Sequence, residues 1–184
     1  MFSILRRFLT EEKTQGRPEG KKYGPGQRDA LTGAANKAAF QKLVESALTG
    51  EHVQGCFLLV DVDCMKEINE KFGRETGDRV LQRVFDTLRE NFRGGDGIGR
   101  LGEDSFGIWI EGLCADQVSG IRRRIAVVND KLLHGGTELP RVTLSAGAAL
   151  GESGESYKEI YRQAQKVLYR VKEGGRCGCE VYTN

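Results

Sequence analysis

A turn of only three residues between two strand-like runs restricts the fold of this chain more than any other feature of its sequence. The runs are residues 97–101 and 105–111, and Gly102, Glu103 and Asp104 separate them. A connection this short joins antiparallel strands, because a parallel crossover needs about a dozen residues or more. The sequence therefore predicts an antiparallel β-hairpin within whatever sheet the chain forms.

Helical and strand-like patterns alternate along the rest of the chain. Apolar residues recur at helical spacing in residues 34–48, 76–92, 116–133 and 157–172. Apolar or β-branched runs predict strands at residues 56–63, 140–150 and 180–183. Together with the hairpin, these elements predict an α/β (α+β) fold with a central mixed, mainly antiparallel sheet flanked by helices.

Length and charge are those of an ordinary globular domain. The chain has 184 residues, of which 39% are hydrophobic and 29% charged, and this is sufficient for one core. Its 28 basic and 26 acidic residues give a net charge of +2, so nucleic acid is not indicated as a partner. No apolar run approaches the roughly 20 residues of a transmembrane segment. The five cysteines show no paired spacing, which predicts reduced thiols and a cytoplasmic protein.

Both ends of the chain have features of their own. Residues 1–27 begin with a short apolar patch, Met1–Leu9, and continue as a polar stretch rich in glycine, lysine and glutamate. This composition predicts a flexible linker ahead of a domain at residues 28–184. A membrane surface, the domain itself and a partner protein are alternative contacts for the patch. Near the other end, Cys177-Gly178-Cys179 would suit either a soft metal or two reduced thiols on the last strand.

Several short motifs follow one another along the chain. One of them is the end of the strand at 56–63, where Asp61 and Asp63 suit a divalent metal. The full series is Asp29–Asn36, Asp61–Asn69, Gly77-Asp78, the hairpin Gly102-Glu103-Asp104-Ser105-Phe106, Thr143–Gly147 and Tyr169–Arg176. In composition and order the series resembles the GGDEF family, whose members condense two GTP into cyclic di-GMP. The resemblance covers residues 28–182 and implies a fold of the nucleotide-cyclase type.

The resemblance also assigns roles to individual residues. Asp61 and the hairpin residue Asp104 would hold Mg²⁺ at the catalytic centre, as carboxylates at neighbouring strand ends can. The groups that would bind GTP are Asn69 and Asp78 at the guanine edge, and Lys172 and Arg176 at the triphosphate. The last two are four residues apart, which predicts that they share one helix face. The alternatives are a capping acid for Asp61 and a solvated helix end for the two cations.

Two residues of the hairpin depart from the family pattern Gly-Gly-Asp/Glu-Glu-Phe. Ser105 stands where the family has a glutamate, and a hydroxyl is a neutral ligand that cannot take up a proton as a carboxylate does. Glu103 replaces the second glycine, where the backbone passes close to the nucleotide. A slip of one residue would pair Glu103 with Asp104, but Arg100 and Phe106 match the unslipped register. These departures predict a degenerate catalytic site with low or no cyclase activity.

A second nucleotide site is indicated just before the hairpin. Arg93-Gly94-Gly95-Asp96 is similar to the family's inhibitory site, Arg-x-x-Asp, where the product cyclic di-GMP binds. Arginine can donate to the O6/N7 edge of guanine, and aspartate can accept from its N1 and N2 hydrogens. The alternative is that Arg93-Gly94-Gly95 ends the preceding helix with a glycine cap.

Three hypotheses for function follow from these motifs. The first is a regulatory module that binds cyclic di-GMP through Arg93 and Asp96, and GTP in the former active site, and acts on an unknown protein partner. The second is an active or weakly active diguanylate cyclase, which would be a homodimer because two half-sites must face each other. The third is an interaction domain that binds no nucleotide. Turnover of GTP with magnesium would distinguish the second hypothesis, and nucleotide binding would separate the first from the third.

Overall fold

The computed structural model describes residues 23–50, 53, 55–113, 117–136 and 138–183. Within these residues the chain forms five α-helices and five β-strands. The helices are α1 (Lys37–Leu48), α2 (Met65–Phe72), α3 (Arg74–Asn91), α4 (Val118–His134) and α5 (Tyr157–Glu173). The strands are β1 (Gly55–Val62), β2 (Gly97–Arg100), β3 (Ser105–Glu111), β4 (Leu144–Leu150) and β5 (Gly178–Val181).

The strands form one five-stranded sheet in the order β2-β3-β1-β4-β5. β1 pairs antiparallel with β3 and with β4, β2 pairs antiparallel with β3, and β4 pairs parallel with β5. The predicted mixed, mainly antiparallel sheet and its hairpin are therefore confirmed, and the hairpin lies at one edge of the sheet. In this register, Asp61 at the end of β1 lies opposite Ser105 on one side and Ser145 on the other.

The two faces of the sheet have separate apolar cores, because side chains alternate between the faces along each strand. Leu58 and Val60 of β1 belong to the core that includes α3 and α4. Phe57 and Leu59 belong to the core that includes α1 and α5. Asp61 continues the second series, so it lies on the face that α5 covers.

A glycine in β4 lets α5 lie unusually close to the sheet. A Cβ atom on Gly147 would overlap the carbonyl oxygen of Ala164 and lie 2.6 Å from the backbone nitrogen of Leu168. A larger residue would therefore push α5 away from β4. The close approach fixes the height of the C-terminal turn of α5, which carries Lys172, above the end of β1.

Most of the predicted elements are confirmed, with shifted ends. The helix α2 was not predicted, although Met65 and Ile68 have helical spacing and are buried. The predicted helix at 76–92 begins earlier, at Arg74, and the predicted strand at 140–150 begins later, at Leu144. Residues 1–22, with the apolar patch and most of the predicted linker, and residue 116 lie outside the described residues. None of the helices in the described part is long and apolar enough to span a membrane.

Candidate functional site

The hairpin between β2 and β3 is held by the guanidinium group of Arg100. Its Nε atom donates to the carbonyl of Gly102 at 3.1 Å, and its Nη2 atom donates to the carbonyl of Glu103 at 2.9 Å. Its Nη1 atom lies 3.2 Å from Asp29 Oδ1, which also accepts from the backbone and hydroxyl of Thr32 at 2.9 and 2.7 Å. The Asp29–Asn36 motif is therefore a brace for the hairpin.

The charge of Asp29 is part of this brace. Burial acts to raise the pKa of Asp29, but the hydrogen bonds from Thr32 and the contact with Arg100 together bring it below its ordinary value. The ionised carboxylate is thus the form that the fold favours.

The hairpin keeps the unslipped register and accepts Glu103 without strain. Asp61 lies opposite Ser105 in the pairing of β1 with β3, and the Leu101 backbone donates to the Ser105 carbonyl at 2.9 Å. Within the described residues, positive φ angles outside glycine occur at Cys64, Arg176 and Cys177. Glu103 therefore has a backbone conformation open to any residue, and its effect on the site comes from its side chain.

Asp61 pairs with Lys172 rather than pointing into solvent. Lys172 Nζ lies 2.5 Å from Asp61 Oδ2, and the Asp61 side chain is only 16% exposed. Burial raises the pKa of Asp61 above its ordinary value, although Lys172 opposes the rise. The carboxylates of Asp104 and Asp63 add to it. Asp61 therefore sits in a cluster of acids with a lysine as its counter-ion.

The carboxylate of Asp63 is used in hydrogen bonds that hold the fold together. Its carboxylate accepts from the hydroxyl groups of Thr143 and Ser145, both at 2.7 Å, and from the backbone of Cys177 at 3.3 Å. Both of its oxygens are therefore used to join the end of β1 to β4 and to the start of β5. Sequence reasoning did not find this role, although the two hydroxyl residues in the Thr143–Gly147 motif were a signal for it.

The acids at this edge fit a metal ion only in part. Asp104 directly precedes β3, and its carbonyl accepts from the Val62 backbone at 2.9 Å, so Asp61 and Asp104 do lie at neighbouring strand ends. In the described ranges, no three Asp, Glu, His or Cys side chains converge into a metal site. Mg²⁺ commonly takes one or two carboxylates and completes its shell with water and phosphate oxygens. The pair thus fits a metal that is shared with a phosphate-bearing ligand.

A cleft of about 550 Å³ lies beside the hairpin, between it and the helices α2 and α3. Its walls include Asn69, Asp78, Glu103 and Asp104, with Lys66, Glu70, Arg74 and Arg100 among the remaining lining residues. The cleft therefore brings both predicted guanine contacts to the hairpin acid. Asp61, Lys172 and Arg176 are not among the residues that line it.

Gly77 determines where Asn69 can lie. The short helix α2 ends at Phe72, and Gly73, with φ +84°, turns the chain directly into α3. A Cβ atom on Gly77 would overlap Asn69 Oδ1 and lie 3.0 Å from its Cγ. The Gly77-Asp78 motif thus makes room for the Asn69 amide and places a carboxylate beside it.

Arg176 does not share a helix face with Lys172, and that prediction is wrong. The helix α5 ends at Glu173, and Arg176 follows in a left-handed turn with φ +67°. Gly174 and Gly175 separate it from the helix, and Gly175 has φ +109°. The turn leaves Arg176 exposed, beyond the end of the helix that carries Lys172.

The Arg93–Asp96 segment lies at the other end of β2 from the hairpin. The helix α3 ends at Asn91 with an extended residue, Phe92, as its cap, so the alternative of a glycine cap is wrong. Asp96 Oδ2 accepts from the Arg93 backbone at 2.9 Å, and its side chain is only 3% exposed. Burial raises the pKa of Asp96, opposed by that hydrogen bond and by Arg124.

Arg124 of α4 is a part of this second region that sequence reasoning missed. Its Nη1 atom lies 3.8 Å from Asp96 Oδ2 and has no hydrogen-bond partner in the described part of the chain. Arg93 is exposed on the same turn. The buried carboxylate of Asp96 is therefore contacted by the Arg93 backbone and by the guanidinium group of Arg124, which lies 28 positions further along the chain.

Known proteins have sequences similar to this chain. A family model described as "Diguanylate cyclase, GGDEF domain" matches residues 27–177. Diguanylate cyclase DgcP of Pseudomonas aeruginosa is 32% identical over 157 residues, which are 83% of this chain and 23% of DgcP. Diguanylate cyclase DgcM of Escherichia coli (strain K12) is 32% identical over 172 residues, which are 91% of this chain and 40% of DgcM. The chain thus spans less than half the length of these curated relatives.

Solved structures show the same architecture. The GGDEF domain of DgcB from Caulobacter crescentus, in complex with c-di-GMP, has a TM-score of 0.77 at 23% identity and covers 88% of this chain and 98% of that one. Diguanylate cyclase SiaD from Pseudomonas aeruginosa, in complex with its activator SiaC, has a TM-score of 0.76 at 26% identity. That match covers 97% of this chain and 66% of SiaD. At its level of identity, the likeness to DgcB bears on the fold alone.

Proposed function

The chain belongs to the GGDEF family of diguanylate cyclase domains, and we propose that it is a guanine-nucleotide-binding regulatory module of cyclic di-GMP signalling with a weakened catalytic site. In this proposal, cyclic di-GMP binds at the Arg93–Asp96 turn and GTP binds in the cleft beside the hairpin. The output is an interaction with a protein partner.

The observation that carries the proposal is the pairing of Asp61 with Ser105. Cross-strand partners in an antiparallel pair direct their side chains to the same face, so a glutamate at this position would add a third carboxylate next to Asp61 and Asp104. Serine contributes a neutral hydroxyl instead. Phosphoryl transfer depends on charge stabilisation and on proton removal from the attacking hydroxyl, and both are weakened by this residue.

Binding of GTP needs less than its turnover, and the cleft retains the groups for it. The Asn69 amide and the Asp78 carboxylate supply the donors and acceptors that match the guanine edge. Mg²⁺, when it is bound together with the nucleotide, neutralises the phosphates. Lys172 is close to this region through its contact with Asp61, and it supplies a further positive charge.

Binding of cyclic di-GMP is supported by the two arginines around Asp96. The exposed Arg93 presents a guanidinium group that can donate to two acceptors of guanine at once. Arg124 adds a second positive charge beside the same carboxylate, and its buried Nη1 atom has no hydrogen-bond partner in the described part of the chain. In this arrangement Asp96 fixes the turn that carries Arg93, because its carboxylate accepts from the Arg93 backbone, and the same carboxylate faces the guanidinium group of Arg124.

Calorimetric titration with cyclic di-GMP tests the proposal. We expect micromolar binding to the wild-type chain and a loss of about tenfold or more in Arg93→Ala, the value of one paired arginine–guanine contact. Arg89→Ala is the matched control, because Arg89 is an exposed arginine of the preceding helix that pairs with Asp86 and stacks on Phe85. Equal affinity in all three proteins, or no binding in any, would reject the Arg93 site.

Residual cyclase activity is the second candidate, and the placement of Asp61 and Asp104 at neighbouring strand ends favours it. In that reaction each 3′-hydroxyl attacks the α-phosphorus of the other GTP and displaces diphosphate, so two copies of the domain must meet. Chromatographic detection of cyclic di-GMP formed from GTP and Mg²⁺ decides between the two candidates. Turnover abolished by Asp104→Asn would establish the enzyme.

A further inference from the structure

The ammonium group of Lys172 contacts the same Asp61 carboxylate that would hold a metal ion. Its Nζ atom is 2.5 Å from Asp61 Oδ2, and the two side chains are 36% and 16% exposed. The close packing of α5 on Gly147 holds this end of the helix over β1. The pair is partly shielded from water, so its attraction is stronger than that of a fully exposed ion pair.

The surroundings of Asp61 are otherwise negative. Asp104 and Asp63 are near enough to raise its pKa. Asp63 already accepts hydrogen bonds from Thr143 and Ser145, so it is not a spare metal ligand. Lys172 therefore supplies the positive charge that this group of acids needs when the cleft is empty.

A divalent ion and the ammonium group compete for the same carboxylate. Mg²⁺ binds carboxylate oxygens at about 2.1 Å, and two cations so close together repel each other. The lysine side chain is a mobile point charge on a flexible stem, and it also binds phosphate. A triphosphate beside the hairpin would give Lys172 another anionic partner and leave Asp61 to the metal.

We propose that Lys172 makes divalent metal binding conditional on nucleotide. Without nucleotide, Lys172 stays on Asp61 and the domain binds metal weakly. With nucleotide, Lys172 moves to the phosphates and Asp61 becomes available. The second half of this inference rests on the proposed binding of GTP, whereas the first half concerns the nucleotide-free chain alone.

The test is a Mn²⁺ titration of the nucleotide-free protein, followed by the electron paramagnetic resonance signal of free Mn²⁺, an ion that shares the oxygen ligands of Mg²⁺. We expect Lys172→Met to bind Mn²⁺ at least about tenfold more tightly than wild type, the effect of one partly buried charge. Lys166→Met is the matched control, because it removes the same charge from an exposed position on α5. Wild type that binds Mn²⁺ as tightly as Lys172→Met would overturn the proposal.

Two further arms make the outcome decisive. Adding Asp61→Asn to Lys172→Met should abolish the gain, and a gain that persists would place the metal elsewhere and reject the proposal. Lys172→Gln, which removes the charge but keeps a polar end, replaces Lys172→Met if thermal unfolding shows that the latter does not fold. A non-hydrolysable GTP analogue should raise the Mn²⁺ affinity of wild type more than that of Lys172→Met. Failure of the analogue to bind would reject the GTP site but leave the nucleotide-free comparison intact.

Discussion

Replacing Gly77 by alanine should displace the side-chain amide of Asn69 without destabilising the fold. The new methyl group would overlap Asn69 Oδ1, whereas its next neighbour, Met65 Cε, is at an ordinary 3.5 Å. Asn69 is exposed, so its amide can rotate away at low cost. Alanine in place of glycine within a helix stabilises it by about 1 kcal/mol. The variant should therefore unfold at an equal or higher urea concentration than wild type.

Binding of GTP should respond in the opposite direction. If the amide of Asn69 turns away, one or two hydrogen bonds to guanine are lost, each worth about 1 kcal/mol. A loss of this size weakens binding about tenfold. Calorimetric titration with GTP and Mg²⁺ measures the affinity, and urea unfolding of the same samples measures the stability.

Gly120→Ala is the matched control for this experiment. Gly120 lies in α4, and a Cβ atom built on it meets nothing within 4 Å. It should give a similar gain in helix stability with no change in GTP affinity. If Gly77→Ala binds GTP as well as wild type does, the Asn69 amide is not a guanine contact and the assignment of this wall of the cleft is wrong.

Three further predictions concern the hairpin. Ser105→Glu should raise the rate of cyclic di-GMP formation from GTP and Mg²⁺ at least about tenfold, since it places a carboxylate opposite Asp61. Ser105→Ala should not raise this rate. If chromatography gives the same rate for Ser105→Glu and wild type, position 105 does not have this role. Arg100→Ala should lower the free energy of unfolding in urea by about 2 to 3 kcal/mol, because bonds to two carbonyls and one carboxylate are lost; an unchanged midpoint would mean that the brace is not needed. Asp29→Asn should be less stable than wild type at neutral pH, and the difference should shrink at about pH 3. The folded-state pKa of Asp29 lies below its ordinary value, so its contribution is present above the unfolded value of about 3.9 and is lost as the pH falls through the folded one. Asp61, whose pKa is raised, has the opposite pH dependence, but it is present in both proteins and so drops out of the difference in stability between them. If that difference does not change with pH, Asp29 does not stabilise the hairpin through its negative charge.

The parts of the site that lie within one motif could be predicted from the sequence. The hairpin register followed from Arg100 and Phe106, whereas the approach of Asp104 to Asp61 was implied by the resemblance. The placement of Asn69 and Asp78 on one cleft was implied by the resemblance. Their mutual geometry was not, because it depends on the unpredicted helix α2 and on the space left by Gly77.

Contacts between distant segments could not be predicted. The Lys172–Asp61 pair joins residues 111 positions apart, and it exists because Gly147 lets α5 lie close to the sheet. The error at Arg176 has a local cause. Spacing of four residues places two side chains on one helix face only while the helix continues, and here Gly174 and Gly175 end it first.

The geometry of the hairpin explains how the fold accommodates serine at position 105. The loop is held by backbone carbonyls that accept from Arg100 and by the backbone pairing of Ser105. Neither contact involves the side chain at position 105, so glutamate or serine there would leave this support unchanged. Asp61, in contrast, is tied to Lys172. Loss of Asp61 would leave a partly buried lysine without its counter-ion, which is costly. Substitutions are therefore better tolerated by the fold at position 105 than at position 61.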